Sequence, residues 1–300
     1  MPAETAPHER TWMAFPPSES SLGSSREEIS EARDAWCAVA HAVAEFEPVT
    51  MLADPADVED ARARLSREIE IIDAPLNDAW MRDIGPTFVS NGTETGAVDW
   101  VFNGWGAQGW AAWEKDQHIG ARVAELAGVR RIVSSLVNEG GGFHYDGEGT
   151  VLLTGSVQLD PGRNPGLTRT DVEAEFSRTI GADRAIWLPR GLTRDYERYG
   201  TRGHVDMTAV MPAPGTVLVH TQKDPDHPDH AVSRELMEHL SALEVLELPA
   251  PQVLRDDEGW VDYSYVNHYV VNGGVIAAHP NRGCRSWGLK PPVSSRLRAM

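Results

Sequence analysis

Two cysteines, Cys37 and Cys284, are all that the 300 residues contain, too few for a disulfide framework and unable to build a cysteine zinc site. Cys37 falls inside an apolar-periodic stretch and reads as a small buried hydrophobe. Basic residues are also scarce. Against 45 Asp and Glu stand 27 Lys and Arg, a formal net charge of −18, which argues against a nucleic-acid backbone as partner and favours cationic ligands through long-range attraction. No uninterrupted apolar run is long enough to span a bilayer, and MPAETAPHER has no basic start followed by an apolar core. Neither a membrane span nor a signal peptide is expected, and the cytoplasm is the expected compartment.

What is present is 41% hydrophobic content, enough to bury a large core in a single domain. Capping serines, early glutamates and apolar residues at helical spacing predict a helix over 24–46. Strands at 49–54 and 69–75 flank a helix at 55–67, and further helices are expected at 111–127, 169–180 and 229–242. GEGTVLLT (147–154) and APGTVLVH (213–220) each set Gly-Thr before a short apolar strand, as hairpin returns do. Polar clusters recur as well: WMRD (80–83), NEGGGFH (138–144), GHVD (203–206) and YVNHYVVNGG (265–274). Their Asp83, Glu139, Asp206 and Asn267 follow one another at intervals of 56, 67 and 61 residues. Such a repeat of element order suggests α/β modules around an axis, each giving a polar residue to a shared centre.

In GHVD, His204 and Asp206 stand two residues apart, and on a strand they would face the same side. They could hold a metal, move a proton, grip a cation or satisfy each other in a core. Zinc is disfavoured, because catalytic zinc takes three protein ligands and GHVD lacks the helical His-to-His spacing of the common hydrolases. DPDHPDH (224–230) is rich in ligand types, but its prolines read as a solvated loop whose Asp229 caps the following helix. Paired carboxylates suit a guanidinium ion, which is planar and carries donors on every side. Asp83 and Asp206 could clamp one, with Trp80 offering an indole face beside Asp83 or packing in the core.

TWMAFPP (11–17), DAWMRDIGPTFV (78–89), FNGWGAQ (102–108), NEGGGFHYDGEGTVLLT (138–154), DPGRNPGL (160–167), TRGHVDMTAV (201–210) and YSYVNHYVVNGGVI (263–276) resemble, in order, the agmatine deiminases and bacterial-type peptidyl-arginine deiminases. The resemblance implies a five-fold pseudosymmetric α/β propeller over residues 1–279. It also implies hydrolysis of a small cationic guanidine, agmatine to N-carbamoylputrescine and ammonia, through a covalent cysteine mechanism with no metal or organic cofactor. His204 matches the family's general acid and base, Glu139 the acid that orients it, Asp83 and Asp206 the guanidinium-binding carboxylates, and Trp80 and Asn267 further pocket residues. Arg202 and Met207 stand where the family commonly has asparagines, and Phe15 where it has tryptophan.

The family's cysteine lies in a C-terminal GGGxHC segment that is missing here. All 45 acidic residues lie before residue 281, whereas 281–300 carry five basic residues and none that is acidic. We read 280–300 as an aberrant basic tail, the product of a shifted frame or truncated gene that leaves the last propeller module incomplete, with a genuine divergent tail as the alternative. Cys284, between Arg282 and Arg285, is a candidate substitute nucleophile. Low turnover is expected of this chain. A noncatalytic binder of cationic guanidines is the alternative, and a metal hydrolase comes third.

Overall fold

Ser25 starts the first long helix, Arg26–Ala44, through a reciprocal capping box with Glu28, as its serine and early glutamates predict. The computed structural model describes residues 1–252, 255–256 and 259–277, and the chain divides into two compact units. Of the described residues, one unit comprises Thr5–Met81, Ala112–Ile119 and 268–277; the other comprises Met1–Glu4, Arg82–Ala111 and those within Gly120–Asn267.

In the first unit, strands β1 (Thr11–Ala14), β2 (Val49–Ala53) and β3 (Glu70–Asp73) form a parallel sheet. Its core gathers Phe15, Cys37, Val43, Met51 and Leu65. Cys37 is thus the buried hydrophobe the sequence suggests, and burial pushes its thiol up to about 11, far from a reactive thiolate. The helix expected at 111–127 is shorter, Ile119–Leu126 after a 3-10 turn at Asp116–His118. Ahead of it, the Lys115 N–H donates to the Asn77 side chain, 2.8 Å away, instead of joining a helical ladder.

Asp116 in that turn is fully buried, with Oδ1 accepting from the Asn77 N–H at 2.7 Å. Burial, reinforced by Asp78, lifts its carboxyl to about 7. The folded state therefore holds a proton that the unfolded chain releases near its ordinary value, so stability declines as pH rises from about 4 through 7. At about 1.4 kcal/mol per pKa unit, we expect Asp116→Asn to stabilise the protein by roughly 1–3 kcal/mol at pH 8 and by little at pH 4. Urea denaturation at the two pH values checks this; equal effects at both would contradict it.

The second unit repeats one wiring three times. Strands β4 (Thr87–Ser90) and β5 (Thr95–Val101) form an antiparallel hairpin, and a crossover returns a parallel third strand, β6 (Arg130–Val137). The same holds for β7 (Phe143–Tyr145), β8 (Thr150–Thr154) and β9 (Arg184–Leu188), and for β10 (Ala209–Ala213), β11 (Thr216–Thr221) and β12 (Glu244–Pro249). The Gly-Thr returns are as expected: Gly149 and Gly215 take φ of +105° and +78°, where a side chain would be strained. Because side chains alternate along a strand, β8 serves two cores, with Val151 and Leu153 in one and Leu152 in the other.

DPDHPDH is a solvated turn only at Pro225 and Asp226. His227 and Asp229 are buried, and Pro228, not Asp229, occupies the cap of helix Asp229–His239. The Asp229 carboxylate instead accepts from the Thr193 N–H at 2.7 Å, while His227 Nε2 bonds the Val261 carbonyl at 3.0 Å. Two short strands, β13 (Arg255–Asp256) and β14 (Gly259–Trp260), complete this unit, and a hairpin of β15 (His268–Val271) and β16 (Gly274–Ala277) belongs to the first. Among the described residues, no helix is long and apolar enough to cross a membrane.

Candidate active site

The glycine run of NEGGGFH forms a 3-10 turn, Gly140–Gly142, between β6 and β7. A Cβ at Gly140 would lie 2.1 Å from the Arg82 carbonyl oxygen. One at Gly141 would lie 2.5 Å from His204 Nδ1 and 3.0 Å from both Asp206 Oδ2 and Asp83 Oδ1. The glycines are there to make room. Two chain segments, 82–83 and 204–206, converge on this turn, and the two aspartates, each 3.0 Å from one point, lie no more than about 6 Å apart.

Asp83 sits in the short helix Met81–Ile84. Its Oδ1 accepts from the Gly141 N–H at 3.1 Å and its Oδ2 from the Trp105 indole at 3.0 Å. Trp105 reaches it from a left-handed backbone conformation, φ 57° and ψ 44°, which costs about 1 kcal/mol or more for a residue with a Cβ. The strain is held by Trp110, stacked at 5.1 Å, and by the edge of Phe102 at 5.0 Å.

His204 and Asp206 are not on a strand. His204 (φ −51°, ψ 137°) caps a 3-10 turn at Val205–Met207. The backbone there cannot join a ladder, because the N–H groups of Gly203 and His204 both donate to Asp195 Oδ2, at 2.6 and 3.0 Å. The tight turn still brings the two side chains near each other. His204 Nδ1 lies 4.0 Å from Asp206 Oδ1 and 3.9 Å from Asp83 Oδ1, and its Nε2 is 3.2 Å from Glu139 Oε2.

Electrostatics follow from this crowding. Burial, the largest influence on His204, favours the neutral ring, but Asp83, the Glu139 hydrogen bond and Asp206 together outweigh it and lift the imidazole to about 9. Burial likewise pushes Asp206 up to about 6, with His204 opposing and Asp83 reinforcing. Glu139 is fully buried, which by itself would raise it; Arg163 and His204 instead hold it below the usual carboxylate range. Asp206 Oδ1 is buried with no hydrogen-bond partner among the described residues, a costly arrangement that a bound donor would relieve. The constellation offers two carboxylates to a planar cation and a charged imidazole beside them.

Asp83, Glu139, His204 and Asp206 are therefore brought together. Trp80 is half-buried and packs edge-on against Trp36 at 5.3 Å. Asn267 lies half-buried just before β15 and takes no part in the contacts above. Cys284 lies outside the described residues. Sequence reasoning gave no role to Trp105, Arg163 or Asp195, although the first two stand within quoted motifs. Among the described residues, no group of three His, Cys, Asp or Glu could hold a metal ion.

The chain is similar to several known proteins. Residues 1–282 match the family described as Porphyromonas-type peptidyl-arginine deiminase. A Streptomyces coelicolor protein named "Putative agmatine deiminase" is 56% identical, the match covering 92% of this chain and 84% of that protein. The agmatine deiminase of Ectopseudomonas mendocina is 37% identical over 92% of this chain and 82% of its own length. Among solved structures, the agmatine deiminase of Enterococcus faecalis superposes with a TM-score of 0.85 at 29% identity, covering 93% of this chain and 83% of that one.

Proposed function

The chain belongs to the Porphyromonas-type peptidyl-arginine deiminase family, and from that premise we propose that it binds a small cationic guanidine and hydrolyses it, agmatine being the substrate for which its relatives are named. The observation that carries this reading is the buried Asp206 Oδ1, without a hydrogen-bond partner among the described residues and close to Asp83. A guanidinium ion satisfies that oxygen and Asp83 at once. The three repeated modules of the second unit support the α/β propeller that the motif resemblance implies.

In the reaction, a cysteine thiolate adds to the guanidinium carbon. Protonated His204 then gives its Nδ1 proton to the departing ammonia, while Nε2 stays bonded to Glu139. Neutral Nδ1 next accepts a proton from water, which attacks the same carbon, expels the thiolate and leaves the ureido product. Asp83, pinned by the Gly141 and Trp105 N–H groups, and Asp206 hold the cation in register throughout. Cys37 is too buried to supply the thiolate, and Cys284, outside the described residues, is a candidate to be tested for that role.

Ammonia release from agmatine tests this. Release abolished by His204→Ala and by Cys284→Ser supports the covalent mechanism and identifies its thiol. Release that survives Cys284→Ser overturns it, and agmatine binding without any release leaves a noncatalytic guanidine binder.

A further inference from the structure

Arg163, in the DPGRNPGL segment, is a cation whose side chain is closed to solvent. Its Nε donates to both Glu139 oxygens at 3.0 and 3.1 Å, its Nη1 to Asp160 Oδ2 at 3.1 Å, and its Nη2 to the Thr201 carbonyl at 2.7 Å. Thr201 opens the turn that ends in His204, and its own N–H and hydroxyl donate to Asp195, both at 2.7 Å. One guanidinium thus touches the acceptor of His204 and the backbone that carries His204. We propose that Arg163 is a positioning residue for His204, holding Glu139 ionised and aligned as the acceptor of the Nε2 proton. This rests on the reading of His204 as the proton carrier.

An ordinary buried ion pair would need only one carboxylate. Asp160 already has a second cation, Arg202, whose Nη1 lies 3.3 and 3.2 Å from its two oxygens. The Gly162 N–H, at 2.6 Å, adds a further donor to it. Asp160 therefore does not depend on Arg163, whereas among the described residues Glu139 has only Arg163 and His204 to balance a fully desolvated charge. A buried carboxylate stripped of its cation takes up a proton instead of staying charged. A protonated Glu139 no longer attracts a cationic imidazole. The other charges on His204 are Asp83 and Asp206, the latter also felt by Arg82, and Asp195, which also feels Asp262.

The test is the titration of the His204 ring, followed by NMR in the intact chain, which requires no turnover. In Arg163→Met we expect the midpoint to fall by at least about one pH unit, roughly a tenfold change in proton affinity. In the double variant Arg163→Met with Glu139→Gln, which buries no unpaired charge, His204 should titrate as in Glu139→Gln alone, because Arg163 acts through Glu139. An unchanged or higher midpoint in Arg163→Met overturns the proposal. So does a double variant that differs from Glu139→Gln, and that comparison decides the matter if Arg163→Met does not fold. Methylguanidine binding, measured separately, tests the function itself: its absence beside the expected titrations would remove the deiminase reading and leave the role of Arg163 toward Glu139 standing.

Discussion

Asp206→Asn is expected to weaken methylguanidine binding by about 1.5–3 kcal/mol, roughly 10- to 150-fold in dissociation constant. The wild-type carboxylate supplies a charge-assisted acceptor through an oxygen that has no hydrogen-bond partner among the described residues. The amide keeps the shape but loses the charge. The pH dependence has a definite sign. Asp206 is raised to about 6, so wild-type affinity falls as pH drops through 6, whereas the variant is flat across that range. His204, raised to about 9, is a neighbouring cation at pH 7, and affinity should rise again as it loses its proton above pH 9. Methylguanidine keeps the ligand free of a second titrating amine. Calorimetry against methylurea supplies the control: equal affinity for the charged and uncharged ligands, or no effect of Asp206→Asn in a folded protein, would show these carboxylates to be structural.

The parts of this site that could be read from sequence are those whose signal is local. The capping box of Ser25 and Glu28 lies within four residues, and the Gly149 and Gly215 returns announce themselves by Gly-Thr before an apolar run. The four polar clusters stood out because charged groups were adjacent to core-forming strands. GHVD was misread as a strand because alternation of polar and apolar residues is all that period two requires. What decides otherwise is Asp195, nine residues upstream of His204, which takes the backbone N–H groups a ladder would need. Trp105 and Arg163 lie 22 and 24 residues from the carboxylates they serve. No periodicity couples residues at such distances; only the fold brings them together.

Contacts distant in sequence also surround the glycine run, and they separate two neighbouring substitutions. In Gly140→Ala the new methyl would lie 2.1 Å from the Arg82 carbonyl oxygen, a backbone atom that cannot turn aside. In Gly141→Ala it would meet His204 Nδ1 at 2.5 Å and two aspartate oxygens at 3.0 Å, side chains that can rotate away at the expense of the site they form. Overpacking of this kind costs about 1–3 kcal/mol or more. We expect Gly140→Ala to lose most in denaturant stability. Gly141→Ala should retain more stability but bind methylguanidine at least about tenfold more weakly, since a further 1.4 kcal/mol or so is lost when the clamp is displaced. The two variants, compared by urea denaturation and calorimetry, thus report on different things. Wild-type affinity in Gly141→Ala would mean that the point between His204, Asp83 and Asp206 is not where the ligand is held.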